Sequence, residues 1–155
     1  MTAARKFATC APWPREWCGG PARPHGPAAL TFEFECVTAN EANGSTQRWQ
    51  KVHRRELARE LTIEALSVAL TRAPLPERGP WCVRLVRISP SRMDDDAVAV
   101  ALKTVRDTIA AALHLDDGDP ALAFAYAQDK GRPMGVRVEV WGGGCSPAPA
   151  LRGGA

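Results

Sequence analysis

Residues 91–120, "SRMDDDAVAVALKTVRDTIAAALHLDDGDP", combine a helical pattern with acidic residues at both ends. The aspartates are Asp94, Asp95 and Asp96 at the front and Asp116, Asp117 and Asp119 at the back. Between them, apolar residues recur at spacings of three and four: Val98, Leu102, Val105, Ile109 and Ala112. Such a stripe predicts one amphipathic α-helix with a single face on a core.

Short segments rich in apolar residues on both sides of this helix predict strands. In "LTFEFECVT", residues 30–38, every second residue is apolar, which is typical of a strand with one face on the core. "WCVRLVRIS", residues 81–89, predicts a second strand that ends before Pro90. "ALAFAYAQ" and "VRVEVW" predict two more strands, and we expect them to pair as a hairpin through the longer connection "DKGRPMG".

A second helix is predicted upstream, in "TQRWQKVHRRELARELTIEALSVALTRA" at residues 46–73, because no breaker occurs before Pro74. Its first half is basic, with Arg48, Lys51, Arg54, Arg55 and Arg59, and its second half is apolar, with Leu61, Leu66 and Leu70. We therefore expect the second half to pack and the first half to be solvated. The order β-α-β-α-β-β predicts an α+β domain, a mixed sheet with two helices packed on it.

Composition sets the limits of the domain and its environment. The 155 residues fit one domain, residues 29–141, between tails at 1–28 and 142–155 whose Pro, Gly and Ala content predicts disorder. No apolar run approaches the ~20 residues needed to span a bilayer, and no secretory signal is recognisable. The five cysteines form no regular framework, so we expect a cytoplasmic chain with no membrane partner. A net charge of +3 permits a polyanionic partner without requiring one.

The two acidic clusters have two interpretations. Separately, they need no function: acids at a helix N-terminus are stabilised by ~0.3–1 kcal/mol each, and "DDGDP" is an ordinary turn composition. If the clusters converge, they offer hard oxygen ligands suited to Mg²⁺ or Mn²⁺. The sequence leaves both interpretations open.

Basic residues around the acids favour the second interpretation. A bound Mg²⁺ can turn water into a nucleophile, and lysines and arginines can hold a phosphate backbone. The surrounding bases are Arg84, Arg87, Arg92, Lys103, Arg106, Lys130 and Arg132. Acids at the centre with bases around them are what a metal-dependent nuclease needs, although the basic half of the first helix is equally explained as a solvated face. No Gly-rich phosphate loop lies between a strand and a helix, so no nucleotide cofactor is expected.

The stretch "RMDDDAVAVALKTVRDTIAAALHLDDGD" resembles the core of the RusA-type Holliday junction resolvases, crossover junction endodeoxyribonucleases common in phages and prophages. Their pattern is Asp-x-Asp-Asn, a helix, and then a Leu-Asp-Asp or similar pair. "TANEANGSTQRW" with the basic helix resembles their Asn-rich loop and first helix, and "YAQDKGRPMGVRVEVW" resembles their final hairpin. The resemblance covers residues 29–141.

The resemblance implies a site and a substrate. Asp94, Asp96 and Asp117 match the family's Mg²⁺ ligands, with Asp116 as a further or alternative ligand, and Lys103 matches its catalytic lysine. It also implies a homodimer that cuts four-way DNA junctions in recombination and repair. Expected contacts to the DNA backbone are Arg48, Lys51, Arg54, Arg55, Arg87, Arg92, Arg106, Lys130 and Arg132.

Two departures from the family pattern bear on this site, and the first of them leaves an alternative function open. Ala97 replaces the Asn of Asp-x-Asp-Asn, and Lys103 lies two turns beyond Asp96, further than in the founding members. The chain could therefore be a catalytically degenerate relative that binds branched DNA without cleaving it. A third interpretation keeps the acids as cap and turn only, in a small protein that binds another protein.

Overall fold

A mixed β-sheet with helices on one face forms the core of the protein. The computed structural model describes residues 5–6, 28–38, 48–75, 81–115 and 122–142. The strands are β1 (Arg5–Lys6), β2 (Leu30–Glu35), β3 (Trp81–Ser89), β4 (Leu122–Lys130) and β5 (Gly135–Gly142). The helices are α1 (Arg48–Arg72), α2 (Asp95–Ala101) and α3 (Lys103–Ala112). The predicted α+β class is confirmed.

The strand order is β1-β4-β3-β5-β2, and both kinds of pairing occur, as predicted for a mixed sheet. β3 and β4 are parallel neighbours, whereas β5 is antiparallel to β3 and to β2. The two residues of β1 pair antiparallel with Asp129 and Lys130 of β4. Most of the segments predicted as tails lie outside the described residues, so the domain boundaries stay predictions.

The predicted hairpin of β4 and β5 is wrong, although both strands exist. β3 lies between them and pairs with each. The link of residues 131–134 crosses the end of β3, where the Gly131 N–H donates to the Ser89 carbonyl at 3.1 Å. Strands two places apart in a sheet are ~10 Å apart, a distance that four residues can bridge and a two-residue turn cannot. The length of the connection was therefore the signal for a skipped strand.

The predicted amphipathic helix forms as two segments that share one core stripe. At Leu102 the backbone has φ −97° and ψ 3°, but its N–H still donates to the Val98 carbonyl at 3.0 Å. Val98, Leu102, Val105 and Ile109 are each at most 2 % exposed, which confirms the stripe, whereas Ala112 is exposed. The stripe packs against the sheet with the inward-facing residues of β2, β3 and β5.

α1 has the predicted division into a packed half and a solvated half. Its buried residues are Thr62, Leu66 and Ala69, all in the second half. The helix contacts β2 and α3, so α1, α2 and α3 form one layer. Among the residues that the structure describes, no helix is both long and apolar enough to cross a lipid bilayer.

β2, β3 and β4 all end at one edge of the sheet, which we call the upper edge. Ser89 and Lys130 are partners in register there, and Gly135 is a partner of both Glu35 and Ile88. The opposite or lower edge contains Trp81 and Leu122, also partners in register. α2 begins six residues after β3 ends, so its first turn lies at the upper edge.

Candidate functional site

The acidic start of α2, residues 94–96, presents its carboxylates to solvent at the upper edge. We call these three residues the acidic turn. Asp94 occupies the N-cap position, and its carbonyl accepts from the Val98 N–H at 3.1 Å, but its side chain makes no capping hydrogen bond. Asp95 faces Arg92 at 3.5 Å. Within the described residues, no ion pair or side-chain hydrogen bond involves Asp94 or Asp96. Their oxygens can therefore bind an external partner, and the side-chain capping expected from the simpler interpretation is not made.

A buried glutamine holds the segment that leads into these acids. The side chain of Gln128, on β4, is 1 % exposed. Its amide nitrogen donates to the Met93 carbonyl at 2.7 Å, and its amide oxygen accepts from the Met93 N–H at 3.0 Å. This two-way clamp fixes the backbone of the residue next to Asp94, because both polar groups of Met93 are bonded to one side chain.

Arg87 extends the same network into the interior. It is 3 % exposed and donates to Thr38 Oγ1 at 3.0 Å, the Ser91 carbonyl at 2.8 Å and Ser89 Oγ at 3.1 Å. These partners are neutral, and burial lowers the pKa of the Arg87 guanidinium. The expectation that Arg87 contacts DNA is at odds with this placement, because its donors are already bonded inside the protein. Arg87 instead ties the ends of β2 and β3 to the loop before α2.

Other predicted DNA-binding residues do gather at the upper edge. Lys130 and Arg132 are exposed at and just beyond the end of β4, and Arg92 is exposed beside Asp95. Arg54 and Arg55 of α1 line a small cavity with residues 36–38, which follow β2. The structure thus brings these bases to the same edge as the acids.

The first turns of α1 and α2 also lie at similar distances from the upper edge of the sheet. A groove of about 400 Å³ separates the helices, and its first lining residues on each are Val52 and Val100. Arg48 precedes Val52 by four residues, as Asp96 precedes Val100. Since both helices begin at the upper edge, Arg48 and Lys51 belong to the end of α1 that lies at this edge.

Lys103 lies about two helical turns beyond Asp96, although its predicted catalytic role requires it to reach the same phosphate as the acids. Seven residues separate it from Asp96, which is a rise of about 10 Å along a helix. Its ammonium group pairs with Asp107 at 3.0 Å, and its side chain lines the groove between α1 and α3 with Arg55 and Arg59. This position fits a contact to a phosphate along the groove better than a contact to the acidic turn.

Arg106 is engaged on the same part of α3. It pairs with Asp107 at 3.1 Å and donates to Tyr126 Oη at 3.5 Å. Although partial burial acts to raise the pKa of Asp107, hydrogen bonds from Lys103 and Arg106 and their charges bring it below its usual range. The Asp107 carboxylate is therefore ionised, and two cationic side chains balance its charge. Arg106 would share its own charge between Asp107 and an external anion.

Asp116 and Asp117 lie outside the described residues, so their predicted convergence with Asp94 and Asp96 stays a prediction. The described residues on either side are Leu115 and Leu122. Leu122 belongs to the lower edge, and the Leu115 N–H donates to the Ala110 carbonyl near the end of α3. The 18 residues from Asp95 to Ala112 correspond to about 26 Å of helix, so these flanks are far from the acidic turn. Within the described part of the chain, no group of three or more His, Cys, Asp or Glu side chains could hold a metal ion.

Sequence reasoning missed the residues that support the acidic turn. Gln128 sits in a strand of alternating small and larger residues, and its polar side chain at an inward-facing position was the only signal. Arg87 was read as a surface base because nothing in the local pattern marks its burial. Asp107 carried no signal beyond its i, i+4 spacing from Lys103.

Comparisons with known proteins gave no relative from which a role could be carried over. The chain matches no protein-family model, no curated protein and no solved structure. The resemblance of residues 29–141 to RusA-type resolvases therefore stays a prediction. The chemistry of the upper edge has to be inferred from the residues gathered there.

Proposed function

We propose that the protein is a Mg²⁺-dependent endonuclease of the RusA type that acts on branched DNA, with Holliday junctions as substrate. The observation that carries the proposal is the grouping of acidic and basic side chains at the upper edge of the sheet. Two carboxylates without a partner among the described residues begin a helix there, and exposed bases lie at the same edge. In open sheets with parallel strands, ligand sites fall at the edge where those strands end, which is the case for β3 and β4 here.

Asp94 and Asp96 would hold the metal ion. Hard carboxylate oxygens are the ligands that Mg²⁺ prefers, and Mn²⁺ accepts the same set. The resemblance implies Asp116 or Asp117 as a further ligand, but their described neighbours Leu115 and Leu122 are far from the acidic turn. Water or phosphate oxygens, which Mg²⁺ commonly keeps, would therefore complete the coordination. The ion, when bound, supplies charge to a phosphate oxygen and lowers the pKa of a coordinated water.

The protein's own residues would place the DNA. Arg92, Lys130 and Arg132 would contact phosphates beside the acidic turn, and Arg48, Lys51, Arg54 and Arg55 would contact the backbone of a neighbouring arm. The Gln128 and Arg87 network would keep the acidic turn fixed while DNA binds, because it bonds both backbone groups of Met93. Lys103 and Arg106 would hold a phosphate further along the helix rather than the reacting one.

A homodimer acting in the cytoplasm fits this proposal. Symmetric cleavage of a four-way junction requires two sites related by a twofold axis. The proposed role would lie in recombination or repair of DNA, with no nucleotide cofactor.

Cleavage of a labelled synthetic four-way junction tests the proposal. With Mg²⁺ we expect paired nicks in opposite strands, and with EDTA none. Asp96→Asn should abolish the nicks. Asp95→Asn is the matched control, because Asp95 is the neighbouring acid but faces Arg92. Equal loss in both variants, or cleavage that survives EDTA, would contradict the proposal.

A second candidate, binding of branched DNA without cleavage, is favoured by two observations. Ala97 stands in the first turn of α2 where the family has an amide, and Lys103 is paired with Asp107 away from the acids. A junction that shifts in a gel but is never nicked would support this candidate. Restoring the amide with Ala97→Asn should then produce cleavage if the rest of the site is intact.

A further inference from the structure

We propose that residues 7–27 of this chain dock on the face of the sheet opposite the three helices and cover an apolar patch there. The patch consists of small buried side chains on β3 and β4. We call it the alanine floor, and its members are Cys82, Val86, Ala123, Ala125 and Ala127. Residues 7–27 lie outside the described residues, and their composition alone predicts disorder. The described residues instead supply a surface for them within their own chain.

Alternation along the strands places the alanine floor on the face away from the helices. Leu85 of β3 belongs to the core on the helix side, so Val86 next to it points the other way, as does Cys82 four residues earlier. The register pairs Cys82 with Ala123 and Val86 with Ala127, which puts these alanines on the same face. None of the floor residues belongs to the core on the helix side.

The alanine floor is buried although no described element covers it. Cys82 is 0 % exposed, Val86 1 % and Ala125 2 %. The described helices pack with the sheet residues of the opposite face. Directly opposite neighbours in a sheet stand ~5 Å apart, so side chains as short as alanine do not shield one another from solvent. Burial to this degree across two strands therefore requires a cover.

The β5 side of the same face is polar and its charges are paired. Arg84 binds Glu139 at 2.5 Å, and its guanidinium lies 5.7 Å from the centroid of the Trp141 ring. Arg137 pairs with Asp129 and with Glu139. Paired surface charges remain compatible with water. The part of this face that needs a cover is therefore the alanine floor.

The two ends of residues 7–27 lie on opposite sides of the sheet. β1 ends at Lys6 and pairs with β4, whereas the Ala29 N–H, just before β2, donates to the Val140 carbonyl of β5. β4, β3 and β5 lie between β1 and β2, so the chain has to travel about 19 Å sideways, which is four strand spacings. Residues 7–27 reach about 70 Å when extended. The helices occupy one face, and the alanine floor is the first surface beside β1 on the other.

The composition of residues 7–27 suits this floor. The large apolar side chains are Phe7, Trp13 and Trp17. Flat aromatic rings bury a large area on a floor of methyl groups. The prolines are Pro12, Pro14, Pro21, Pro24 and Pro27. Because proline has no backbone N–H, an extended chain rich in proline leaves fewer unsatisfied donors against an apolar surface.

The segment at the other end of the chain is a poorer cover. Residues 143–155 follow β5 at the lower edge, and Leu151 is their only large apolar side chain. A segment with one leucine and no aromatic ring buries too little area to cover five side chains on two strands. The choice therefore falls on residues 7–27.

Limited trypsin digestion and dye binding of the full chain test the proposal. Trypsin cleaves after Arg15, inside the docked segment. The double variant W13S/W17S should speed that cleavage by about tenfold or more, because cleavage follows the population of the undocked state. It should also raise the fluorescence of anilinonaphthalene sulfonate, which binds exposed apolar surface. Trp49→Ser, at a tryptophan that is 63 % exposed on α1, is the matched control and should change neither.

A change in the floor gives the converse test with residues 7–27 intact. Ala125→Gln should speed cleavage after Arg15 by at least about fivefold, because an amide beneath the aromatic rings loses its hydrogen bonds to water. Thr31→Gln places the same amide at an exposed position of the same face, on β2 and outside the floor, and should have no effect. If Ala125→Gln fails to fold, W13S/W17S still decides the outcome.

Three results would overturn the proposal. The first is cleavage after Arg15 in the wild type as fast as in an isolated peptide of residues 7–27. The second is a W13S/W17S variant that behaves like the wild type. The third is protection that changes with protein concentration between about 1 and 100 μM, which would identify a second copy as the cover. Junction cleavage is measured separately, so the nuclease proposal stands or falls independently of these results.

Discussion

The aspartates on the α2–α3 helix pair differ in how their charge is balanced. Asp107 on α3 is paired with Lys103 at 3.0 Å and with Arg106 at 3.1 Å, and these neighbours lower its pKa. Asp94 and Asp96 at the start of α2 have no such partners among the described residues. The first arrangement uses an acid to organise its own helix, and the second leaves acids ready for an external cation. Identical side chains on one helix pair thus differ in the charges that lie next to them.

The support beneath the two regions differs as well. The acidic turn is backed by the buried Gln128 and Arg87 network, which bonds the loop before α2 to β3 and β4. Asp107 is half-exposed, and the side chains that pair with it, Lys103 and Arg106, are exposed and partly exposed. Buried hydrogen bonds fix a position, whereas surface ion pairs contribute little to stability. We therefore expect the acidic turn to be the rigid region of the two.

The largest expected effect separates the two kinds of acid by activity. Asp94→Asn should reduce Mg²⁺-dependent junction cleavage by at least about 100-fold, because a ligand matters at least as much as the groups that orient it. Asp107→Asn should change the rate less than about threefold, since its charge is already neutralised. Single-turnover rates on one labelled junction measure both. Equal losses would mean that the distinction between the two regions is wrong.

The next effect concerns the network beneath the acids. Arg87→Met should lower the free energy of unfolding by about 1–3 kcal/mol, because it removes the donor to the buried hydroxyl oxygens of Thr38 and Ser89. Urea unfolding measures the change. Arg92→Met is the control, since a half-exposed arginine contributes within about 0.5 kcal/mol. If Arg87→Met were as stable as the control, the network would not be what holds the turn.

A smaller effect is expected from Lys103, which lies between the two regions. Lys103→Met should raise the KM for junction DNA by a few-fold, leave kcat within about twofold, and reduce the salt slope of binding by about one. The reason is its distance from Asp96 and its place in the groove beside Arg55 and Arg59. A loss confined to kcat would restore the catalytic role that the family resemblance implies.

The smallest effect follows from the lowered pKa of Asp107. A carboxylate whose pKa is depressed by folding stabilises the protein above its unfolded pKa, and that contribution disappears as pH falls through the folded pKa. The difference in stability between wild type and Asp107→Asn should therefore be present at neutral pH and shrink on acidification below the unfolded pKa. Urea unfolding at neutral pH and in steps through the acid range measures it. A difference that grew on acidification would contradict the sign.

Local patterns predicted most of the fold. The alternation in residues 30–35, the largely apolar run in residues 81–89 and the helical stripe at Val98, Leu102, Val105 and Ile109 depend on neighbours in sequence, so they could be read directly. The position of β3 between β4 and β5 could not, because strand order depends on contacts between distant segments. The same limit hid the site: the three aspartates were visible, but the clamp from Gln128 joins residues 35 positions apart.

The most direct test of the central claim is a titration of Mn²⁺ into the full chain, followed by electron paramagnetic resonance of the free ion. Wild type, Asp95→Asn and Asp107→Asn should bind the ion with similar affinity. Asp94→Asn and Asp96→Asn should lose that binding while unfolding at an unchanged urea concentration. If all five proteins bind Mn²⁺ equally, or none does, the acidic turn of α2 is not a metal site.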